Sequence, residues 1–522
     1  MEPYTLPLCN PLFSDKADLP QEFEITLPEY LPGIGKFVRA DADTYALSSS
    51  LADGSLTVTG KYSVRLLYND EKSGYLKCAV FPRDFSYTFD ASAIPAPLGT
   101  PTIEENACIL SVSVKPKGPR AVGISLGLAL KVTVYDCGET KLLSPDNAEV
   151  ELHAENTTCA VRKLLKSDSI DLQEDITLDG SMAPIADIAD YTADFRLDDI
   201  TCGDEVVRYR GNVLFKCAYR AENSTENTDA EYVYLTKELP FDGEIPCPDA
   251  QHGMNVIGRI CPEEMQVSSS FDAYGENRVI HASLGCKIWA DLFDEVPVTY
   301  FDDGFCSAYE CDFEKSVYTY DTVEQTVKEH TRFEQTLRAD REGFTEIADA
   351  GIRLDALTPE IIDGKPVMSG RGVVWVTGAN EKAETVGTSL PVNVRLPLDS
   401  LRDASPEKRY VINAEIRDCR AVLRDGEIVF SCEVALNGVC LGREKITAIH
   451  ETDVHYDKPK PICRAEYIVC YPEPQENLWS IAKKYEIPRE ALRNANGLTG
   501  DALPQGKRTV VIPCGESAAS GA

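Results

Sequence analysis

Side chains capable of acid–base, nucleophilic or metal chemistry are sparse in this chain. Six histidines occur among 522 residues. Cys-His catalysis needs a thiol and an imidazole within hydrogen-bond reach, but His281 and Cys286 lie on an alternating apolar stretch, which favours packing roles for both. His450, His455 and Cys463 could supply zinc ligands, but no second close cysteine pair accompanies them. We therefore predict no catalytic residue, no metal site and no cofactor.

Other patterns associated with catalysis are equally weak. The segment Gly54–Tyr62 has glycines and a lysine, as a phosphate-binding loop does. It has five residues between its glycines, however, and no serine or threonine after Lys61. Carboxylates are abundant, and nothing in the sequence places two of them across a cleft. The sequence therefore predicts a protein that is not an enzyme.

The composition narrows the choice of partner and compartment. The net charge is -33, so a nucleic-acid partner is not expected, because binding to phosphates relies on clustered lysine and arginine. Residues 1–20 lack the basic and apolar regions of a secretory signal, and no apolar run reaches the ~20 residues of a membrane span. Scattered cysteines without a CxxC pair favour free, structural thiols. We expect a cytosolic protein without a membrane span.

The most strongly patterned stretch, Glu476–Leu498, predicts two short helices. One apolar face at helical spacing is formed by Leu478, Ile481, Ala482 and Tyr485. Asn477 is placed to cap this helix, and Pro488 is favoured in the first turn of the next one. The second helix should end at Asn496 and Gly497. Strand-like residues at 467–471 and 508–513 complete a predicted βααβ order.

The same C-terminal region differs in charge from the acidic remainder of the chain. Six basic residues outnumber five acidic ones between residues 467 and 513. The pairs Lys483 with Lys484 and Arg489 with Arg493 are typical of a solvated helix face. Beside an acidic body they could instead dock an acidic partner.

Three earlier segments share a turn containing Asp and Gly that is followed by a strand with a central glycine. They are Asp53–Tyr68, Gly203–Tyr219 and Asp363–Gly378. Their glycines Gly60, Gly211 and Gly370 lie 151 and 159 residues apart, about one domain length. A short motif containing Thr-Leu precedes each of them, at 24–28, 175–179 and 334–338. Because apolar residues alternate in these segments, we predict three copies of a small all-β, sandwich-like domain.

These repeats resemble the SPOCS domain, a β-rich spore-coat-associated module found in tandem in spore-forming Firmicutes. The resemblance implies a mainly β chain of three tandem all-β, sandwich-like SPOCS-type repeats followed by a small βααβ domain. We place the domain limits at 1–150, 151–320 and 321–460 for the repeats and 466–514 for the C-terminal domain. The charged segments 139–172 and 313–334 between copies are expected to be extended linkers or short helices.

The C-terminal region is similar to a LysM domain in LWSIAKKY, NANGL and VVIP, which begin at Leu478, Asn494 and Val510. Members of that family commonly bind N-acetylglucosamine-containing glycans in a groove between two loops. The resemblance places the loops at 475–479 and 496–500. Including the basic face, the expected ligand- or partner-binding residues are Gln475, Glu476, Asn477, Leu478, Trp479, Lys483, Lys484, Asn496, Gly497, Leu498 and Thr499.

The first of these loops departs from the Gly-Asp-Thr-Leu that is usual in the family. This chain has Gln475, Glu476 and Asn477 before Leu478. Glycine tolerates positive φ and lets a ligand approach the backbone, whereas glutamine adds a side chain where a sugar ring would lie. For Trp479 we favour packing beside Leu478 over stacking on a sugar. Both features favour a protein partner over a glycan.

SPOCS-type repeats with a C-terminal LysM resemble SipL-like spore morphogenetic proteins. The resemblance implies a non-enzymatic scaffold or adaptor made in the mother-cell cytoplasm and recruited to the forespore surface. Its LysM would dock to a basement-layer protein of the spore coat, and exposed edges of the β repeats would allow self-assembly. The main alternative is a peptidoglycan-binding protein anchored to the spore cortex through LysM. A hydrolase with an unrecognised active site in a β domain is the third alternative.

Overall fold

The structure of the protein is a computed structural model. It describes residues 4–95, 101–222, 232–248, 250–338, 343–355, 357–382, 384–401, 405, 407–461, 465–473, 476–503 and 509–514, without the side chains of residues 164–168. Strands dominate up to residue 459, and both helices of the described residues lie near the C-terminus. This is the mainly β fold that the sequence predicts. Neither helix is long and apolar enough to cross a membrane.

Consecutive strands form three units, which together are called the body. Unit 1 contains β1 (Thr5–Thr26), β2 (Ile34–Ala52), β3 (Ser55–Asp70), β4 (Leu76–Asp90), β5 (Thr102–Gly118) and β6 (Ala121–Lys141). Unit 2 contains β7 (Val150–Thr177), β8 (Ile185–Gly203), β9 (Val206–Ala221), β10 (Tyr232–Pro246), β11 (Asn255–Phe271) and β12 (Asn277–Cys306). Unit 3 contains β13 (Tyr309–Leu337), β14 (Phe344–Leu354), β15 (Thr358–Ile362), β16 (Lys365–Asn380), β17 (Thr385–Pro397), β18 (Arg409–Arg424) and β19 (Glu427–Pro459).

Each unit consists of two antiparallel sheets with the same strand order. In unit 1 the orders are β1-β6-β5 and β2-β3-β4. Unit 2 repeats them as β7-β12-β11 and β8-β9-β10. Unit 3 has β13-β19-β18 and a second sheet centred on β16, where β14 and β15 lie along one edge and β17 along the other. The paired sheets of each unit enclose an apolar core, the arrangement of a sandwich.

Tight turns and central glycines explain why these sequence segments form hairpins. Asp53-Gly54 joins β2 to β3 and Asp363-Gly364 joins β15 to β16, with positive φ at all four residues. Positive φ at two consecutive residues gives a two-residue turn a twist that matches the twist of the strands it joins. Gly211 lies on the central strand β9, where an added Cβ would be 2.5 Å from the Phe241 ring. The glycine thus lets an aromatic ring pack directly on the backbone.

The structure differs from the sequence-based expectations at three points. The segments 139–172 and 313–334 are not linkers or short helices, because most of their residues belong to the long strands β7 and β13. The limit placed at residue 320 falls inside β13, which begins at Tyr309. Cys9 and Cys137 face each other across β1 and β6 and form a disulfide, although most other described cysteines are free thiols as expected.

The three units contact one another in cyclic order. Lys77 of unit 1 pairs with Asp187 of unit 2. Lys216 of unit 2 lies 3.0 Å from Asp349 of unit 3. Lys36 of unit 1 lies 2.6 Å from Glu384, which precedes β17 of unit 3. A shared apolar cluster contains residues of all three units, including Leu6, Cys159 and Ile446.

Buried ions join the units at the centre of this cycle. Asp41 of β2 lies 3.1 Å from Arg39 Nε on the same strand and 3.3 Å from Arg353 of β14. Asp190 of β8 pairs with Arg39 at 3.4 Å and with Arg65 of β3 at 3.2 Å. Strands β2 and β5 of unit 1, β8 and β11 of unit 2, and β14 and β18 of unit 3 also line a central cavity of about 850 Å³. The body is therefore held together by contacts that no unit forms alone.

A small module follows the body and has the predicted βααβ order. It contains β20 (Tyr467–Cys470), α1 (Leu478–Tyr485), α2 (Arg489–Ala495) and β21 (Val510–Pro513). The strands β20 and β21 pair in an antiparallel ladder. Its core includes Leu478, Ile481, Leu492, Val510 and Ile512.

Candidate functional site

The first helix of the C-terminal module is fixed by a capping box. Asn477 Oδ1 accepts a hydrogen bond from Ser480 N at 2.8 Å, and Asn477 N donates to Ser480 Oγ at 3.0 Å. These reciprocal bonds satisfy backbone groups that a helix start leaves unpaired. Leu478, Ile481 and Ala482 are buried as the helical spacing predicts. The local sequence therefore determines which side chains α1 presents to solvent.

The structure brings the two expected binding loops together. Leu478 N donates a hydrogen bond of 3.1 Å to Asp501 O, which joins the start of α1 to the loop after α2. Asn477, Gly497 and Thr499 are exposed to solvent beside this contact. Leu498 is half-buried and packs against the module core. The expected residue Gln475 lies outside the described residues.

Other residues of these loops have structural roles. Glu476 accepts a hydrogen bond from Glu473 N at 2.9 Å and pairs with Lys484 at 3.3 Å. Those interactions lower the pKa of Glu476, with the backbone hydrogen bond as the main cause. Asn496 accepts a hydrogen bond from Val511 N at 2.8 Å, which ties the end of α2 to β21. The side chains of Glu476 and Asn496 therefore form their contacts inside the module.

The basic helix face meets acidic residues of the same chain. Lys483 Nζ lies 2.6 Å from both carboxylate oxygens of Asp303 on β12. Arg489 Nε lies 3.1 Å from a carboxylate oxygen of Glu151 on β7, and Arg489 also donates to Leu152 O at 3.0 Å. The acidic partner that the charge pattern suggested is thus present in unit 2. Lys484 and Arg493 instead pair inside the module.

Trp479 is the centre of this contact, which we call the junction. The side chain is 7% exposed and packs against Phe305 and His153, with ring centroids 5.3 Å and 4.9 Å away. The Arg489 guanidinium lies over the same indole at 5.1 Å from the ring centroid. Phe305 belongs to the apolar cluster of the module, so that core continues into unit 2. In this arrangement Trp479 is not available for stacking on a sugar.

Electrostatics at the junction favour the docked arrangement. Burial tends to raise the pKa of Asp303, but the hydrogen bond and charge of Lys483 outweigh it and lower the pKa. Ionised Asp303 also accepts a hydrogen bond from the Trp479 indole at 3.4 Å. One carboxylate thereby binds both a cation and the buried aromatic residue.

The histidines considered for chemistry lie apart from this junction. His281 was expected to pack, but its ring is partly exposed and bonds Ser270 at 2.7 Å and Asp175 at 2.5 Å. Cys286 is buried, as expected. His450 and His455 contact Glu314 and Asp312 of β13, whereas Cys463 lies outside the described residues.

The junction residues of unit 2 were missed by sequence reasoning. Glu151 and His153 fall in a segment that was expected to be an extended linker or a short helix, and Asp303 is one of many acidic residues. The pairing of His153 with Asp303 across β7 and β12 joins positions 150 residues apart. A signal in the sequence was the excess of basic residues in the module, which made contact with an acidic partner one of two alternatives without locating it.

Comparison with protein families agrees with this architecture. The profile described as "SipL, SPOCS domain" matches residues 184–269, which cover most of β8 to β11 in unit 2. The profile described as "LysM domain" matches residues 473–513, which include both helices and β21. The chain carries a SPOCS domain and a LysM domain. A search of curated proteins and of solved structures found no match to it.

These two domains set the general character of the protein. They indicate a sporulation-related protein whose LysM domain belongs to a family that binds peptidoglycan. The SPOCS match covers one unit, and units 1 and 3 share its strand order. The LysM helices present one face to unit 2, and Asn477, Gly497 and Thr499 of the neighbouring loops are exposed.

Proposed function

We propose that the protein is a non-enzymatic scaffold of the spore surface. In this proposal the three β units form a rigid carrier, and the LysM domain docks the carrier to a basement-layer protein of the coat. The observation that carries the proposal is the junction of Trp479, Lys483 and Arg489 with unit 2. A domain held in this way presents its remaining surface in one orientation, as an adaptor requires. The protein would be made in the mother cell and recruited to the forespore surface.

The surface left for a partner includes one face of the LysM sheet. Tyr467, Val469 and Tyr471 alternate along β20 and its end, and they are 54%, 53% and 75% exposed. Adjacent exposed apolar side chains are typical of protein interaction surfaces, where aromatic residues are enriched. This face favours a protein partner. The side chains of Glu476 and Asn496 are already bonded within the domain, which makes them less available to a glycan and also favours a protein partner.

A glycan remains the second candidate ligand because the groove loops are accessible. Asn477, Gly497 and Thr499 are all exposed, and none of them contacts unit 2 in the junction. Peptidoglycan bound there would anchor the protein to the spore cortex. The two candidates therefore use different surfaces of one domain, which makes them separable by substitution.

The test compares two variants of the full-length chain. Tyr467→Ser with Tyr471→Ser removes the aromatic residues of the β20 face, and Thr499→Trp fills the groove between the loops. Tyr274→Ser is the matched control, since Tyr274 is 92% exposed on a turn of unit 2. Each is expressed as a fluorescent fusion in sporulating cells and is also pelleted with purified cortex peptidoglycan.

The scaffold proposal predicts that the β20 variant loses its forespore localisation while Thr499→Trp and the control keep theirs. Depletion of the basement-layer protein should disperse the unaltered fusion, and the purified chain should not sediment with peptidoglycan. Saturable sedimentation that chitooligosaccharide and Thr499→Trp both abolish would establish the glycan anchor instead.

A further inference from the structure

A second group of polar side chains lies at the junction and takes no part in its ion pairs. His153 and Glu155 are two residues apart on β7, and Asp302 comes from the neighbouring strand β12. His153 Nδ1 lies 2.8 Å from Asp302 Oδ1 and 3.8 Å from Glu155 Oε1. One ligand atom from each residue fits within 4.8 Å of the others. We call these three residues the junction triad.

A β-bulge brings Asp302 into this position. The ladder between β12 and β7 pairs Phe301 with Ala154 and Asp303 with His153, so Asp302 has no direct partner on β7. An extra residue of this kind redirects its side chain and is common beside functional sites. Asp303, the next residue, binds Lys483 and Trp479. Asp302 is thereby left to contact His153.

The two carboxylates of the triad have no lysine or arginine partner in the described part of the chain. The cations nearby are already bound elsewhere, since Lys483 pairs with Asp303 and Arg489 with Glu151. Glu155 and Asp302 each have His153 as their nearest basic group. Two carboxylates beside one imidazole therefore form a site of negative charge that a cation would neutralise.

The ligand set indicates which cation fits. One imidazole nitrogen with two carboxylate oxygens is a donor set suited to Zn²⁺ and related transition-metal ions, whereas Ca²⁺ and Mg²⁺ favour oxygen ligands alone. Metal–ligand bonds of about 2.0–2.2 Å put tetrahedral ligand atoms roughly 3.4 Å apart. The separations of 2.8 Å and 3.8 Å lie on either side of that value, so small side-chain rotations would complete the geometry.

Access and surroundings also suit an exchangeable ion. The side chains of His153, Glu155 and Asp302 are 26%, 48% and 40% exposed, so water can fill the remaining coordination positions. A second group, formed by Glu314, His450 and Glu451, lies on unit 3, where the side chains of His450 and Glu314 are 35% and 71% exposed. The junction triad is the more enclosed of the two.

We propose that the junction triad binds a divalent transition-metal ion of the Zn²⁺ class. The ion would be held by His153 Nδ1 and by carboxylate oxygens of Glu155 and Asp302, with water in its open positions. Because the His153 ring packs against Trp479, fixing that ring would strengthen the contact between unit 2 and the LysM domain. This proposal departs from the sequence-based expectation of no metal site and does not depend on the partner proposed above.

The test is a titration of metal-free, full-length protein with Co²⁺ and with Zn²⁺ in the His450→Gln background, which disables the exposed group. A nitrogen–oxygen site should give weak visible bands without the near-ultraviolet charge-transfer band of thiolate ligation, which distinguishes it from the free cysteines. Co²⁺ should also quench the fluorescence of Trp479, whose ring lies beside His153. Trp479→Phe should remove that component of the quenching without abolishing metal binding.

Substitution of the ligands decides the outcome. We expect His153→Gln and Asp302→Asn each to weaken Zn²⁺ affinity by at least about tenfold. His281→Gln is the matched control, because His281 also bonds an aspartate across two strands but lacks a third ligand. Circular dichroism of the metal-free variants checks that they fold. Folded His153→Gln with unchanged Zn²⁺ affinity, or a titration without the Trp479 quenching, would overturn the proposal.

Discussion

At the residue scale, Asp303 of the body binds two side chains of the LysM domain. It lies opposite His153 on the β7–β12 ladder and receives hydrogen bonds from Lys483 and from the Trp479 indole. Since 27% of the Asp303 side chain and 45% of the Lys483 side chain are exposed, water screens their attraction. The pair therefore mainly orients the domain.

Reversing the charge of Lys483 should loosen the junction. In Lys483→Glu two carboxylates would face each other, so acrylamide should quench Trp479 fluorescence more strongly than in the unaltered protein. The double variant with Asp303→Lys should recover protection, with a coupling free energy of about 0.2–1 kcal/mol. Lys484→Glu is the control, because Lys484 pairs with Glu476 inside the LysM domain. Equal quenching in Lys483→Glu and Lys484→Glu would contradict this role.

The same carboxylate predicts a pH dependence. The pKa of Asp303 is lowered in the folded protein, because the hydrogen bond and charge of Lys483 outweigh the effect of burial. A lowered folded-state pKa contributes stability above the unfolded value of about 3.9, and this contribution is lost as pH falls below it. The quenching of Trp479 fluorescence by acrylamide should therefore be constant from about pH 5 to 7 and should become stronger below about pH 4. The Asp303→Asn variant should not show this rise at low pH. If the rise persisted in the variant, it would come from the titration of another group.

At the element scale, the central strands depend on glycines that allow rings to touch the backbone. Gly60 lies under Phe85 and Gly211 under Phe241, at matching positions of units 1 and 2. The spacing of these glycines was visible in the sequence because each belongs to a local pattern of turn and alternating strand. Their ring contacts were not visible, since the phenylalanines come from a neighbouring strand.

Gly211→Val should destabilise unit 2. An added Cβ would lie 2.2 Å from the backbone oxygen of Arg196 and 2.5 Å from the Phe241 ring, so the branched side chain would force the strand or the ring to shift. We expect a loss of about 1–3 kcal/mol in the free energy of unfolding, measured by urea denaturation. Gly180→Ala is the matched control, because its Cβ would meet no atom within 4 Å and its φ is not positive. If the free energy of unfolding fell no more than in the control, the strand and the Phe241 ring could shift without loss of stability.

Elements determined by neighbouring residues could be predicted, whereas contacts between distant elements could not. The cap Asn477, the two helices and the Asp-Gly hairpins follow from spacings of a few residues, and the structure confirms them. The segment that forms β7 was expected to be an extended linker or a short helix, because it is charged and its periodicity favours no element. Its pairing with β12 and the contact of Arg489 with Glu151 join residues more than a hundred positions apart. Charge composition left a solvated helix face and contact with an acidic partner as alternatives, and only the folded body shows which acidic residues the helices contact.

At the scale of the whole molecule, the ion cluster at the centre of the body makes the units interdependent. Asp41 of unit 1 contacts Arg353 of unit 3, and Asp190 of unit 2 contacts Arg39 and Arg65 of unit 1. Arg39 also stacks on Trp375 of unit 3, at 4.3 Å from the ring centroid. Because each unit holds only part of the cluster, the three should unfold together. This coupling gives the LysM domain a rigid base.

Asp41→Asn should weaken all three units at once. Asp41 is 5% exposed, and although burial opposes its ionisation, the charges of Arg39, Arg353 and Arg65 lower its pKa. Removing that charge leaves buried guanidinium groups with less compensation, which typically costs about 3–5 kcal/mol. Urea denaturation followed by far-ultraviolet circular dichroism and by tryptophan fluorescence should show one earlier transition in both signals.

The matched control for this change is Asp53→Asn. Asp53 is an exposed turn residue with a φ of 48°, which asparagine adopts readily, so its stability should change by less than about 0.5 kcal/mol. If Asp41→Asn behaved like this control, the cluster would contribute orientation and not stability. If the two signals separated into distinct transitions, the units would unfold independently, and the LysM domain would then be carried by unit 2 alone.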